Sequence, residues 1–167
     1  MEIRRITAGE VPQVFALMMD VVSRMPSRAL FAADDEAYLY AHVEDLGEIY
    51  GAFEADTLVA YSVLSYPGQQ EWNLGSEFGV PTDELDKVAV LDATVVHESA
   101  RGRGLQRTFT QLREKRARER GSLYLYSTVH PDNTPSRRNL EEAGLTLQFT
   151  RPMYGGKMRH CYAKRLE

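Results

Sequence analysis

Residues Val88–Val96 form an apolar run broken by Asp92 and Thr94, lead into Arg101-Gly102-Arg103-Gly104, and continue as a helical pattern carrying Leu105, Phe109 and Leu112. A strand that enters a glycine-rich turn and leaves as a helix restricts the chain to an α/β architecture and suits the holding of phosphate. The first N–H groups of a helix lack intrahelical partners, glycines let successive amides point at an anion, and the helix dipole favours negative charge. Arg101 and Arg103 add charge and forked donors at the same spot. Spacing excludes two phosphate loops. No Gly is followed at the required distance by Gly-Lys-Ser/Thr, and Arg107 stands where a dinucleotide fingerprint needs its third glycine. A simple left-handed turn with two solvated arginines is the plain alternative.

A third loop pattern, Gln/Arg-x-x-Gly-x-Gly/Ala, matches Arg101-Gly102-Arg103-Gly104-Leu105-Gln106 except at its last position. Downstream, a β-rich run from Ser122 to Val129 precedes His130-Pro131-Asp132-Asn133-Thr134-Pro135-Ser136 and a helical stretch ending in Ala143-Gly144-Leu145. Thr134 is suited to cap that helix, Pro135 to its first position and Gly144 to its left-handed stop. Ser136, Leu140 and Ala143 share one face. With both motifs in this order, the chain resembles the GNAT superfamily of N-acetyltransferases. The resemblance implies that acetyl-CoA is the cosubstrate, with its pyrophosphate held by Arg101, Gly102, Arg103, Gly104, Leu105 and Gln106. It further implies that Thr94, Val95 and Val96 pair with pantetheine, and that Asn133 and Ser136 line the pantetheine and adenine side.

The rest of the chain alternates strands and helices. Glu2 to Ile6 reads as a strand, Ala8 to Val22 as a helix with Val11, Val14, Phe15, Met18, Val21 and Val22 at helical spacing, and Asp34 to Val43 as a second helix. Glu48 to Phe53 and Leu58 to Tyr66 read as a hairpin around Ala55-Asp56-Thr57. The strand to Val96, the helix from Gly104 to Arg120, the strand to Val129, the helix to Ala143 and strands Thr146 to Arg151 and Met158 to Leu166 complete the order βααβββαβαββ. This is the family's order, for a single α/β (α+β) domain over residues 1–167 with a mixed sheet of about seven strands. The resemblance implies a V between the fourth and fifth strands, opened by a bulge near Ala93. The excursion from Pro67 to Lys87, which holds the only tryptophan, Trp72, is placed to lid the acceptor site.

Acetyl transfer to an amine needs a neutral nucleophile, and alkyl amines hold their proton until about pH 10.4. Asp92 is the candidate base, since a carboxyl in an apolar strand has its pKa raised by desolvation; a structural or exposed role is its alternative. The family's tyrosine, which returns a proton to the thiolate, falls at Leu140. Tyr154 is the candidate substitute, with Ser136, Tyr126, His130 or water as the alternatives. Gln106 crowds the loop's last position but offers an amide to phosphate, and Glu98 places an anion near the cofactor path unless it points away. The expected activity is transfer of acetyl to a primary amine of a small molecule or peptide within a ternary complex. A non-catalytic acyl-CoA sensor is the alternative, kept open by the missing tyrosine.

Composition bounds the remaining classes. A net charge of −4 with 43% apolar and 26% charged residues fits a globular domain rather than a nucleic-acid binder. Arg113 to Arg120 reads as a solvated helix face, with Glu114–Arg118 and Lys115–Glu119 as i,i+4 pairs. Asp34, Asp35, Glu36, Glu44, Asp45, Asp83, Glu84 and Asp86 could draw a cationic amine, or be plain solvated surface. No apolar run reaches membrane-spanning length and no leader pattern follows Met1. The single cysteine, Cys161, fits a reducing cytoplasm. No metal is expected, and a homodimer is plausible through the resemblance alone.

Overall fold

The computed structural model describes residues 1–27, 31 and 33–166. Its elements follow the order read from the sequence: β1 (Glu2–Arg5), α1 (Val11–Ser23), α2 (Glu36–Val43), β2 (Gly47–Glu54), β3 (Thr57–Ser65), β4 (Val88–Val96), α3 (Leu105–Glu119), β5 (Tyr124–Val129), α4 (Thr134–Glu142), β6 (Thr146–Met153) and β7 (Lys157–Arg165). A 3-10 turn at Ala8–Glu10 precedes α1, and two more, Leu74–Phe78 and Thr82–Lys87, occupy the excursion before β4. The seven strands form one sheet in the order β1-β2-β3-β4-β5-β7-β6. Only β4 and β5 run parallel; every other neighbouring pair is antiparallel.

Strand alternation sends successive side chains to opposite faces, and helices cover both. Ile49, Tyr61 and Val63 pack with Val14, Met18 and Leu39 of α1 and α2. Tyr50, Ala52 and Ala60 pack with Leu105 and Phe109 of α3 on the other side. A third cluster joins Leu91 and Leu125 to Leu140 of α4 and Tyr162 of β7.

Local chemistry accounts for the ends of the helices. Asp35 caps α2, its carboxylate accepting the Tyr38 N–H at 2.8 Å. At α4 the cap is Asn133 rather than Thr134, because the Asn133 side chain accepts the Ser136 N–H at 3.4 Å. Thr134 and Pro135 therefore occupy the first two helical positions, where proline's missing N–H costs nothing. The β2–β3 turn contains Ala55 and Asp56 alone, both at positive φ (49° and 66°), and Thr57 already pairs with Glu54.

The expectation of a solvated face from Arg113 to Arg120 fails at its first residue. Arg113 is 2% exposed. Arg116 reaches across to the buried Glu48 at 2.9 Å and also lies 3.6 Å from Glu119. The Glu114–Arg118 pair is present at 3.2 Å. Periodicity assigned a face to each residue but gave no sign that a sheet carbonyl would draw a guanidinium inward.

Candidate active site

The site begins at an irregularity in β4. Ser62 pairs with Thr94 and Leu64 with Leu91, so β4 carries one residue more than β3 between these points, a bulge at Asp92–Ala93. Val63 lies opposite the extra residue and has no partner in the β3–β4 register. Its carbonyl is met by Arg113, whose Nη1 donates to Val63 O at 2.8 Å and to Asp92 O at 3.1 Å. The same guanidinium donates through Nη2 to Thr94 Oγ1 at 3.2 Å. A side chain from α3 thus supplies the ladder bonds that the bulge removes, which satisfies the buried carbonyls.

Beyond the bulge β4 parts from β5. Their parallel pairing covers Val88–Val90 against Tyr124–Tyr126 and goes no further. At the fork the Ser127 hydroxyl donates to Leu91 O at 2.7 Å, a side chain standing in for the next ladder bond. The His97 N–H bonds Val59 O at 2.8 Å, so by alternation the peptide groups of Val95 face β3 and those of Thr94 and Val96 face the open side. Val95 also sends its side chain into the α1 core. Of the three residues assigned to pantetheine, Thr94 and Val96 present backbone to the cleft and Val95 does not.

A cavity of about 640 Å³ passes through this V. On the α3–α4 side it is lined by Thr94, Gln106, Asn133, Ser136 and Asn139; on the side of α2 and the excursion, by Asp34, Tyr38, Trp72, Tyr154 and Arg159. Asp92 sits in the same lining. Tyr38 donates its hydroxyl to Asp92 Oδ2. Desolvation raises the Asp92 carboxyl to about 6, with the Arg113 charge and the Ala93 N–H pulling the other way. Asp34 is pushed further, to about 8, by burial and by the charges of Asp92 and Asp35, and its Oδ2 is buried without a hydrogen-bond partner.

Tyr154, the candidate acid, lies at the β6–β7 turn with φ at 52°. The residue is half exposed, but its hydroxyl lies 2.9 Å from Thr128 Oγ1 at the cavity wall, where desolvation raises its pKa. Leu140, at the position of the family's tyrosine, is packed in the core. Trp72 and Leu74 bring the excursion to the cavity wall, and the Trp72 ring approaches the buried His42 at 6.0 Å between centroids. Of the acidic residues named as possible attractors, Asp34 alone joins Asp92 in the lining; Asp35 serves as a cap and Glu84 accepts from the Tyr124 hydroxyl at 3.2 Å.

The glycine loop adjoins this cavity at Gln106. Gly102 and Gly104 have φ of 79° and 73°, the left-handed region that side chains avoid, and Gly104 is the residue from which α3 starts. Arg101 is exposed, whereas Arg103 is engaged by Glu54 and donates to Ser99 O at 3.3 Å. Gln106 donates through its amide to Ser136 Oγ at 3.0 Å, tying α3 to α4. Glu98 is drawn aside by Arg24, whose Nη2 donates to it at 2.9 Å and holds its carboxyl at about 2.

The splayed strands and the loop-to-helix turn are features of one class of protein, and comparison gives the same answer. Residues 16–145 match the family model described as acetyltransferase (GNAT) family, and the chain belongs to that family. The fold is shared with the ribosomal-protein-alanine N-acetyltransferase of Brucella melitensis (19% identity, TM-score 0.74, covering 99% of this chain and 100% of that one). It is shared also with yncA of Salmonella typhimurium, solved with its cofactor acetyl-CoA (14% identity, TM-score 0.75, covering 100% and 94%). The Escherichia coli ribosomal-protein-S18-alanine N-acetyltransferase is similar at 14% identity and TM-score 0.69, covering 98% and 92%. No curated protein sequence matches the chain. Among the described residues no helix is long and apolar enough to cross a membrane, and no group of three or more His, Cys, Asp or Glu is placed to hold a metal ion.

Proposed function

We propose that this chain transfers an acetyl group from acetyl-CoA to a primary amine, with both substrates meeting in the V. The observation that carries the reading is the bulge, which unpairs β4 from β5 and sets Asp92 in the wall of the resulting cavity. The residues fit the donor. Thr94 and Val96 offer unpaired peptides for amide groups, and the open α3 N-terminus behind two left-handed glycines offers amides for the pyrophosphate. Bound acetyl-CoA supplies an activated acetyl thioester.

The chain's own groups then manage protons and position. With its pKa near 6, Asp92 is ionised at neutral pH and accepts the proton that the amine nitrogen sheds as it bonds carbon. Tyr38 fixes the Asp92 carboxylate by donating to Oδ2. Tyr154 keeps its phenolic proton, its pKa raised by desolvation, and serves as the acid for a leaving thiolate. Trp72 and Tyr38 supply the aromatic wall of the acceptor side. A cytoplasmic setting fits the lone, buried Cys161.

Calorimetric titration with acetyl-CoA, repeated on Gly104→Glu, tests the donor site. One-to-one binding lost in the variant supports it. Thiol release with an amine panel tests the reaction. A wild type that binds acetyl-CoA yet releases no thiol with any amine would instead support the sensor reading, to which the displaced tyrosine gives its one foothold.

A further inference from the structure

The acceptor half of the cavity holds a cation with nothing to balance it. Arg159, on β7, lines the cavity and is 3% exposed. Its Nη1 donates to the Met158 carbonyl at 2.8 Å, its Nη2 is buried with no hydrogen-bond partner, and the Tyr154 ring lies 5.6 Å from the guanidinium carbon. No carboxylate is among the charges acting on it; desolvation lowers its pKa and Tyr154 alone acts in the other direction. Buried guanidinium groups are ordinarily paired or fully hydrogen-bonded, since desolvating the charge costs several kcal/mol. The other buried arginine of the cavity, Arg113, has the carbonyls of Val63 and Asp92. Arg159 Nη2 has no such partner.

A second unsatisfied polar group, Asp34, lines the same cavity. Asp34 Oδ2 is buried and without a partner, and neither Asp34 nor Arg159 is among the charges that act on the other. A ligand that carries a carboxylate satisfies the guanidinium, and a hydrogen-bonding group beside it satisfies the protonated Asp34 carboxyl. The surrounding wall is apolar and aromatic, with Phe31, Leu74, Trp72 and Met153.

Resting on the amine-acetylation reading above, we infer that the acceptor is a free amino acid with an apolar side chain, its carboxylate held by the Arg159 guanidinium and its amino group received by the Asp92 carboxylate. A guanidinium suits this task because its parallel N–H groups match a carboxylate bidentately. The apolar wall accommodates the side chain.

The test compares leucine, methionine and phenylalanine with their carboxamides and with the decarboxylated amines, in thiol release and, without acetyl-CoA, by calorimetric binding to the full chain. The amino acids should exceed both analogues at least tenfold in kcat/KM and bind at least tenfold more tightly. Arg159→Met should erase that preference chiefly through KM while leaving acetyl-CoA affinity intact, and should raise Tm because a buried unpaired charge is gone; Arg159→Lys should retain part of the preference. Equal use of acids, amides and amines by the wild type would overturn the inference, as would a fall in acetyl-CoA affinity in Arg159→Met, which would give the guanidinium to the donor. Amino-acid binding without turnover would uphold this site while removing the acetylation reading, so the two failures are distinguishable.

Discussion

Replacing Arg113 by methionine separates the two tasks assigned to its guanidinium. The apolar replacement leaves Val63 O and Asp92 O, both met by Nη1 at 2.8 and 3.1 Å, without their donor. Each orphaned buried acceptor costs about 1–3 kcal/mol, or about 2–6 kcal/mol for the pair. Against this stands the relief of no longer burying a cation, and a net loss of about 2 kcal/mol follows. For a chain of this size that lowers Tm by about 4–8 °C, read by calorimetry and by urea denaturation. The second task is electrostatic. The Arg113 charge holds the Asp92 carboxyl down against desolvation, which alone would carry it above its value of about 6. Without that cation the carboxylate is less favoured, so the acid limb of the kcat/KM profile should move to higher pH by about one unit. Arg113→Lys restores the charge but not the fork, and should recover the pH midpoint while leaving most of the stability loss. A variant with wild-type Tm and an unmoved midpoint would refute the argument that this side chain props the bulge and tunes the base.

Further expectations concern the cavity and the loop. Asp92→Asn should bind acetyl-CoA normally, lose at least about 10²-fold in kcat, and show no acid limb near pH 6; wild-type turnover would remove Asp92 from the mechanism. Trp72→Ala should raise the acceptor KM with acetyl-CoA affinity unchanged, and a loss of donor binding would sink the assignment of the excursion to the acceptor. Gly104→Ala should cost about 1–2 kcal/mol of stability through strain alone, since a Cβ there meets no atom within 4 Å yet φ is 73°. Asp34 has its folded pKa raised to about 8, so the fold is favoured by its protonated form. Wild-type stability should therefore decline as pH climbs from about 4 through 8 by more than that of Asp34→Asn, and parallel denaturation profiles would contradict the burial of this carboxyl.

The element order was legible because each signal was local: helical spacing of Val11, Val14, Met18 and Val21, prolines at helix starts, and glycines at Gly104 and Gly144 where φ is positive. The family resemblance placed the bulge and the V, and the register puts the extra residue at Asp92–Ala93. Cap and partner choices were less legible. Asn133 outcompeted Thr134 because a carboxamide one residue earlier reaches the Ser136 N–H. The Gln106–Ser136 contact was not legible because the two residues lie 30 apart in sequence. Arg113 and Arg159 were hidden for a shared reason, that nothing local distinguishes an arginine bound for a sheet carbonyl or an interior cavity from one in solvent. The only available hint for Arg113 was its position on the same helical stripe as Leu105, Phe109 and Leu112, where an apolar residue would be expected.

The fork between β4 and β5 has a consequence for how this chain behaves in company. Unpaired peptides such as those of Thr94 and Val96 amount to an edge strand, and edges ordinarily recruit strands from other molecules and seed aggregation. Here the edge lies inside a sheet of seven, with β3 on one flank, β5 and β7 on the other, and helices over both faces. A polypeptide strand arrives with side chains projecting alternately up and down, and those helices block both directions. An unbranched arm bearing amides but no side chains can slide in. The geometry therefore suits a side-chain-free, amide-bearing arm better than an added strand, so the covering that shields this edge also shapes what can pair with it.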